Sequence, residues 1–406
     1  MADGQLDRRS LYHAAYAFKK TRLWKLLNED EVFAVRLDGG RIGYCALEGI
    51  NRGDFVALKL FVGAEAFATL WDKWSCPDDD DPFTVPPDLR QDCIACALEA
   101  REALTAEEEA AIRAHCRANG ITFRAPHPKF MRFRPNCLPW NVTDEQELRD
   151  LHAALTAAVW LDVRGLPGVG LHHVLTEKQT RPSDRRIPLL IPDGDAMRIE
   201  LIPLPPAVKK PFRRPGPVND IALSRLKKLP KKGRIECALI RSPEPVQDDQ
   251  AEAPFLPAML LAIETEQDVL LEPVVAEQPI CDPSELLNGF VDALLQRSLY
   301  PGEIVVRGEE TVGLLRDFCD RAKITMTEAE RMPMLDGALA DLAGAYSGDA
   351  VDGEEDRTGL FNDLAALSDE DLEVLRGDFA RYLLELTESG EMPLSLARRI
   401  RRLVKP

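Results

Sequence analysis

With 406 residues, 45% of them hydrophobic and 29% charged, the chain has the composition of ordinary globular material and the length for two or three domains. Its formal net charge of −17 excludes broad adhesion to DNA, RNA or anionic lipid, because a phosphate surface needs concentrated Lys and Arg, so any such contact must be local. Nine scattered cysteines, an odd number, read as reduced thiols; with no signal-type start in MADGQLDRRS and no apolar run of roughly 18 residues, the expected compartment is the cytoplasm and no membrane is expected.

In chain order, Ser10 to Leu27 has helical spacing, with Leu11, Ala15 and Phe18 on one face. EVFAVRLDGGRIGYCALEG then offers two β-rich runs around Asp38-Gly39-Gly40, which predicts a hairpin, and 55–63 supplies a third strand. A helix over 64–74, the apolar run 93-CIACAL-98, a charged helix over about 105–118 and a strand at 121-ITFR-124 follow. Thr143 and Gln146 have capping-box spacing ahead of a helix whose stripe is Leu148, Leu151, Leu155 and Ala158.

Gly, Pro and mixed charge make 165–185 a connection. Strands are expected near 187–192, 197–204, 234–241, 258–264, 269–275, 303–307 and 323–326, with helices over about 218–229, 283–298, 309–321 and 334–345. Alternation of strand and helix in the later part predicts parallel pairing through crossovers. The expected organisation is an α+β domain over 10–165, an α/β domain over 186–345, an acidic linker over 346–356 and a helical C-terminal extension over 357–406.

Several stretches resemble a group of bacterial two-domain proteins of unknown function: 16-YAFKKTRLWKLL-27, 42-IGYCALEG-49, 91-QDCIACALEAREALT-105 and 128-PKFMRFRPNCLPW-140, then 255-FLPAMLLAIET-265, 302-GEIVVRGEETVGLL-315 and 331-RMPMLDGAL-339. That resemblance implies a domain organisation and no mechanism. The order of elements from 234 to 326 also resembles the RNase H-like fold, in degenerate form. In active members of that superfamily, carboxylates on the first strand, near the central strand and on a later helix hold two metal ions. Here Glu264 and Glu309 are the candidates, but the central strand EIVVR ends in Arg307, a cation where a metal-binding acid is expected.

Two stretches have the chemistry of a binding surface. Lys129, Arg132, Arg134 and Trp140 interleave cations with aromatics, as single-strand binders do, although the same rings suit core packing. The segment from Lys209 to Arg234 holds ten Lys/Arg against the single acid Asp220, with Arg213, Arg214, Lys227, Lys228, Lys231 and Lys232 as the candidate contacts. Its alternative reading is a solvated or internally paired face, with Ile221, Leu223, Leu226 and Leu229 turned inward. Cys93, Cys96, His115 and Cys116 superficially form a zinc set, yet strand alternation would place Cys93 and Cys96 on opposite faces. GxSxG, HExxH, P-loop and GxGxxG motifs are absent from the sequence, so common hydrolase, protease and nucleotide-binding classes lack support. The sequence therefore predicts a non-catalytic binding or interaction module without a cofactor, with a protein partner favoured over local nucleic-acid contact. A divergent RNase H-like metal-dependent enzyme is the alternative.

Overall fold

The computed structural model describes residues 8–27, 31–49, 56–75, 83, 85–164, 186–194, 196–205, 214–248, 251–276 and 282–346. The expected linker over 346–356, apart from residue 346, and the extension over 357–406 lie outside them, as does Arg213. The chain divides into two compact units, Met1–Leu335 and Asp336–Pro406, and both sheets belong to the first. Its secondary structure is mixed α and β throughout, and among the described residues no helix is long and apolar enough to cross a membrane.

The first sheet has eight strands: β1 (Phe33–Arg36), β2 (Ile42–Glu48), β3 (Val56–Val62), β4 (Cys93–Glu99), β5 (His127–Phe133), β6 (Trp140–Asn141), β7 (Arg186–Asp193) and β8 (Ala196–Pro203). They lie in the order β6-β5-β4-β3-β2-β1-β7-β8, antiparallel except where β7 joins β1. Asp38 to Gly40 does make the β1–β2 turn, with Gly39 and Gly40 at φ of 70° and 78°. Strand alternation sends Leu47, Leu58, Leu60 and Cys96 to one face, under α1 (Arg8–Thr21) and α4 (Glu145–Arg164). Ala46, Phe61, Cys93 and Ala95 go to the other, under Phe67 and Leu70 of α2 (Ala64–Ser75).

Local chemistry moved several boundaries. The first helix stops at Thr21, whose hydroxyl donates to the carbonyl of Phe18 and accepts from the amide of Leu23, and Arg22 turns left-handed. Asp144, not Thr143, caps α4 by accepting from the amide of Glu147 at 2.8 Å. After α3 (Ala106–Ala118), residues 121–124 do not pair as a strand: Ile121 and Phe123 instead pack against Tyr16, Ile112 and Cys116. The pairing strand is the following β5.

The second sheet contains β9 (Arg234–Arg241), β10 (Ala258–Glu264), β11 (Val269–Leu270), β12 (Val274–Val275), β13 (Glu303–Arg307) and β14 (Thr325–Glu328). Their order is β11-β10-β9-β13-β14, with β12 also on β10. The run 269–275 is thus two short pieces on one edge, interrupted by Pro273, which has no amide hydrogen to give the ladder. As the helical crossovers predicted, β13 runs parallel to both β9 and β14. α6 (Pro283–Gln296) and α7 (Glu309–Ala322) cover one face with Leu286, Phe290, Leu314 and Phe318, and α5 (Asp220–Leu226) adds Leu223 and Leu226. The last described helix, α8 (Pro333–Tyr346), starts at a proline suited to a first helical turn.

Candidate functional site

The aromatic and basic strand is already engaged within the protein. Arg132 donates to Asp92 at 2.7 Å, to Glu147 at 2.9 Å and to the carbonyl of Cys93 at 3.1 Å. Lys129 donates to the carbonyl of Ala103 at 2.8 Å, and Arg134 pairs with Glu252 at 2.7 Å while lying over the ring of Trp140. Phe130 packs on Tyr12, and Phe133 lies beneath Lys59. Binding a phosphate chain here would first require these pairs to open.

Cys93 and Cys96 belong to opposite faces of the first sheet, while His115 and Cys116 sit on α3 against Tyr16. The four are not brought together, and among the described residues no group of three or more His, Cys, Asp or Glu is arranged to hold a metal ion. Burial pushes the Cys93 thiol up to about 12, against the deprotonation that zinc ligation requires.

The same region contains a pH-sensitive histidine. His127 is 1% exposed, stacks on Phe123 at 4.2 Å and lies 3.5 Å from the hydroxyl of Tyr16 through Nδ1. Burial first, then the charge of Lys19, holds its pKa below the ordinary 6.5. The unfolded chain therefore takes up this proton before the folded one does, so stability present above pH about 6.5 is lost as the pH falls below it. Thermal melting followed from pH 8 to about 5 is expected to show this decline, and His127→Gln to flatten it; an unchanged slope in the variant would remove His127 from the account.

Glu264 is 5% exposed, and both its oxygens are occupied: Oε1 accepts from the amide of Glu266 at 3.1 Å and Oε2 from that of Gln267 at 2.8 Å. It closes the turn into β11. In register it stands opposite Ile235, which in turn stands opposite Ile304, whereas Glu309 follows the far end of β13. Three residues of β13, roughly 10 Å of strand, run from the Ile304 level to Arg307, and Glu309 follows two residues later at the start of α7. The two candidate acids therefore stand at different levels of the second sheet.

Two buried polar groups escaped the sequence reading. Glu236, 3% exposed on β9, accepts from the amides of Met334 and Leu335, both at 3.0 Å, and so stabilises the positive start of α8. Lys59 is 1% exposed on β3 and donates to Glu48 at 2.9 Å and Gln91 at 2.8 Å. In each case the signal was one ionisable residue inside an apolar strand, in RIECALIR and in ALKLFVG.

The basic turn before β9 has the opposite character. Asn219 caps α5 by accepting from the amide of Ile221, while Leu223 and Leu226 anchor the helix. The turn is then fastened by backbone: the amide of Lys232 donates to Tyr300, and the carbonyl of Gly233 accepts from Gly302, both at 2.9 Å. Lys231 donates to the carbonyl of Lys323 and Arg234 approaches Glu303 at 3.8 Å. Arg214, Arg225, Lys227, Lys228 and Lys232 are exposed and have no ion-pair partner among the described residues. Nearby Asp220 is taken by Arg321 at 2.5 Å. Ile221, expected to face the core, is 71% exposed, because the two buried leucines already define the short helix's inner face.

Residues 9–164 match the model of a domain of unknown function, DUF7309, and residues 222–343 match that of a second, DUF6930. Two domains stand in series. This agrees with the resemblance to two-domain proteins of unknown function; the matched segments contain the first sheet through α4 and the second sheet with its helices. No curated protein and no solved structure matches the chain, and the likeness to the RNase H-like fold rests on the order of elements alone.

Proposed function

We propose that the protein is a non-catalytic interaction module that docks an acidic segment of a partner protein on the basic turn over 225–234. The observation carrying this reading is the contrast between cations: Lys129, Arg132 and Arg134 are consumed internally, whereas Arg225, Lys227, Lys228 and Lys232 are exposed with no ion-pair partner among the described residues. A cationic patch on a chain of net charge −17 selects its partner by sign, because the rest of the surface repels an acidic segment. Exposed Ile221, one helical turn from Arg225, adds an apolar contact and favours an acidic peptide with apolar residues over a bare phosphate chain. Seven described cysteines are free and buried, which supports a reducing compartment such as the cytoplasm.

Fluorescence anisotropy with a labelled Glu/Leu-rich peptide and a single-stranded oligonucleotide tests the reading. The peptide is expected to bind at low salt and to weaken steadily between 0.05 and roughly 0.5 M, as the screening length shrinks below about 10 Å. Absence of peptide binding at low salt overturns it. Preferential binding of the oligonucleotide would assign the patch to phosphates instead.

A further inference from the structure

A separate cleft of about 250 Å³ lies in the first domain, where α1, α4 and the segment after α3 meet. Its volume is below the roughly 300–1,000 Å³ of drug-sized sites, so it suits a small metabolite. On α1, His13, Tyr16 and Lys20 occupy positions i, i+3 and i+7 and therefore share one helix face. From α4 come Val159 and Asp162, again three apart, and Ile121 completes an apolar wall.

The distribution of charge is informative. Lys20 and Asp162 line the same small cleft, yet they form no ion pair with each other or with any other described residue. Two opposite charges that line one cleft with Ile121 and Val159 are complementary to a molecule that carries both charges and an apolar group. A ligand with only one charge would leave the other side chain facing it unpaired. Buried Tyr16 is held rigidly in the wall: the thiol of Cys116 donates to its hydroxyl at 3.3 Å, and its ring stacks on His115.

We infer that this cleft binds a free aliphatic α-amino acid, with its carboxylate toward Lys20, its ammonium toward Asp162 and its side chain on Ile121 and Val159. The site is distinct from the basic turn and does not depend on what that turn binds. No bond is made or broken; the cleft holds the ligand by charge and shape.

The test uses the full chain and three probes: leucine, 4-methylpentanoate, which has the carboxylate alone, and 3-methylbutylamine, which has the ammonium alone. In ligand-observed NMR titrations, leucine is expected to saturate, and each single-charge analogue to bind at least tenfold more weakly. Lys20→Met and Asp162→Asn are each expected to weaken leucine at least tenfold, while Asp162→Asn leaves 4-methylpentanoate unchanged. Melting curves check that both variants fold, as the solvent contact of these positions predicts. Failure of leucine to saturate, equal binding of the single-charge analogues, or full retention of leucine by both folded variants would each overturn the inference.

Discussion

Replacing Lys59 by Ala is expected to destabilise the protein by about 3–5 kcal/mol, the cost of breaking a buried ion pair by removing one partner. Lys59 sits at the centre of the first sheet, where its neighbours in register, Ala46 and Ala95, leave room for its stem. Its ammonium donates to Glu48 at 2.9 Å and to the Gln91 oxygen at 2.8 Å, and Asp88 at 3.6 Å adds attraction without a hydrogen bond. Burial acts most strongly and would lower its pKa, but Glu48, Cys93 and Asp88, together with the hydrogen bond to Glu48, carry it above the ordinary lysine value. The contribution is complete at neutral pH and is lost only as the pH rises beyond the unfolded value of about 10.4 and through the higher folded one. Urea unfolding is expected to show that Glu48→Leu is similarly damaging, because it strands the cation. The double variant Lys59→Met with Glu48→Leu is expected to be more stable than either Lys59→Met or Glu48→Leu alone, since the pair is removed together and neither of its charges is left stranded. Simple addition of the two losses would show that the pair is not coupled.

This polar centre also shows where the sequence stops being informative. The strand ALKLFVG was legible from its β-rich composition, but whether Lys59 pointed outward or inward depended on which face α2 would cover. Glu48 and Gln91, 11 and 32 residues away from Lys59, meet it only once β2, β3 and the start of β4 are aligned. The CxxC was readable because strand alternation alone separates Cys93 from Cys96, whatever else folds. Arg132 was not, since nothing local indicates that Asp92 and Glu147 converge on it. Ile221 misled for a related reason: helical periodicity names an apolar stripe, but a seven-residue helix packs only Leu223 and Leu226 and leaves the stripe's edge in water. The crossover pairing of β13 and β14 was accessible because a strand, helix and strand in succession allow few arrangements.

The triple reversal Lys227→Glu, Lys228→Glu and Lys232→Glu is expected to reduce affinity for the acidic peptide by 10²- to 10³-fold. Each exposed cation contributes up to about 1 kcal/mol in attraction, and reversal replaces it with repulsion, so three changes approach 3–4 kcal/mol. The folded state should hardly register them: all three side chains are exposed and have no ion-pair partner among the described residues, and surface substitutions of this kind usually lie within about 0.5 kcal/mol each. Anisotropy titrations paired with melting curves separate the two effects. A loss of binding that follows a loss of folding would refute the surface account. Ile221→Ser then distinguishes docking from loose ionic attraction. If the helix face is a true contact, that change weakens the peptide while leaving the salt dependence as it was, because an apolar contact is removed and no charge is altered. If the patch only gathers anions, Ile221→Ser has no effect and the salt slope alone describes binding. The arrangement of Ile221 one turn before Arg225, on a helix capped by Asn219 and anchored by Leu223 and Leu226, favours the first outcome, since its backbone is already fixed before a partner arrives.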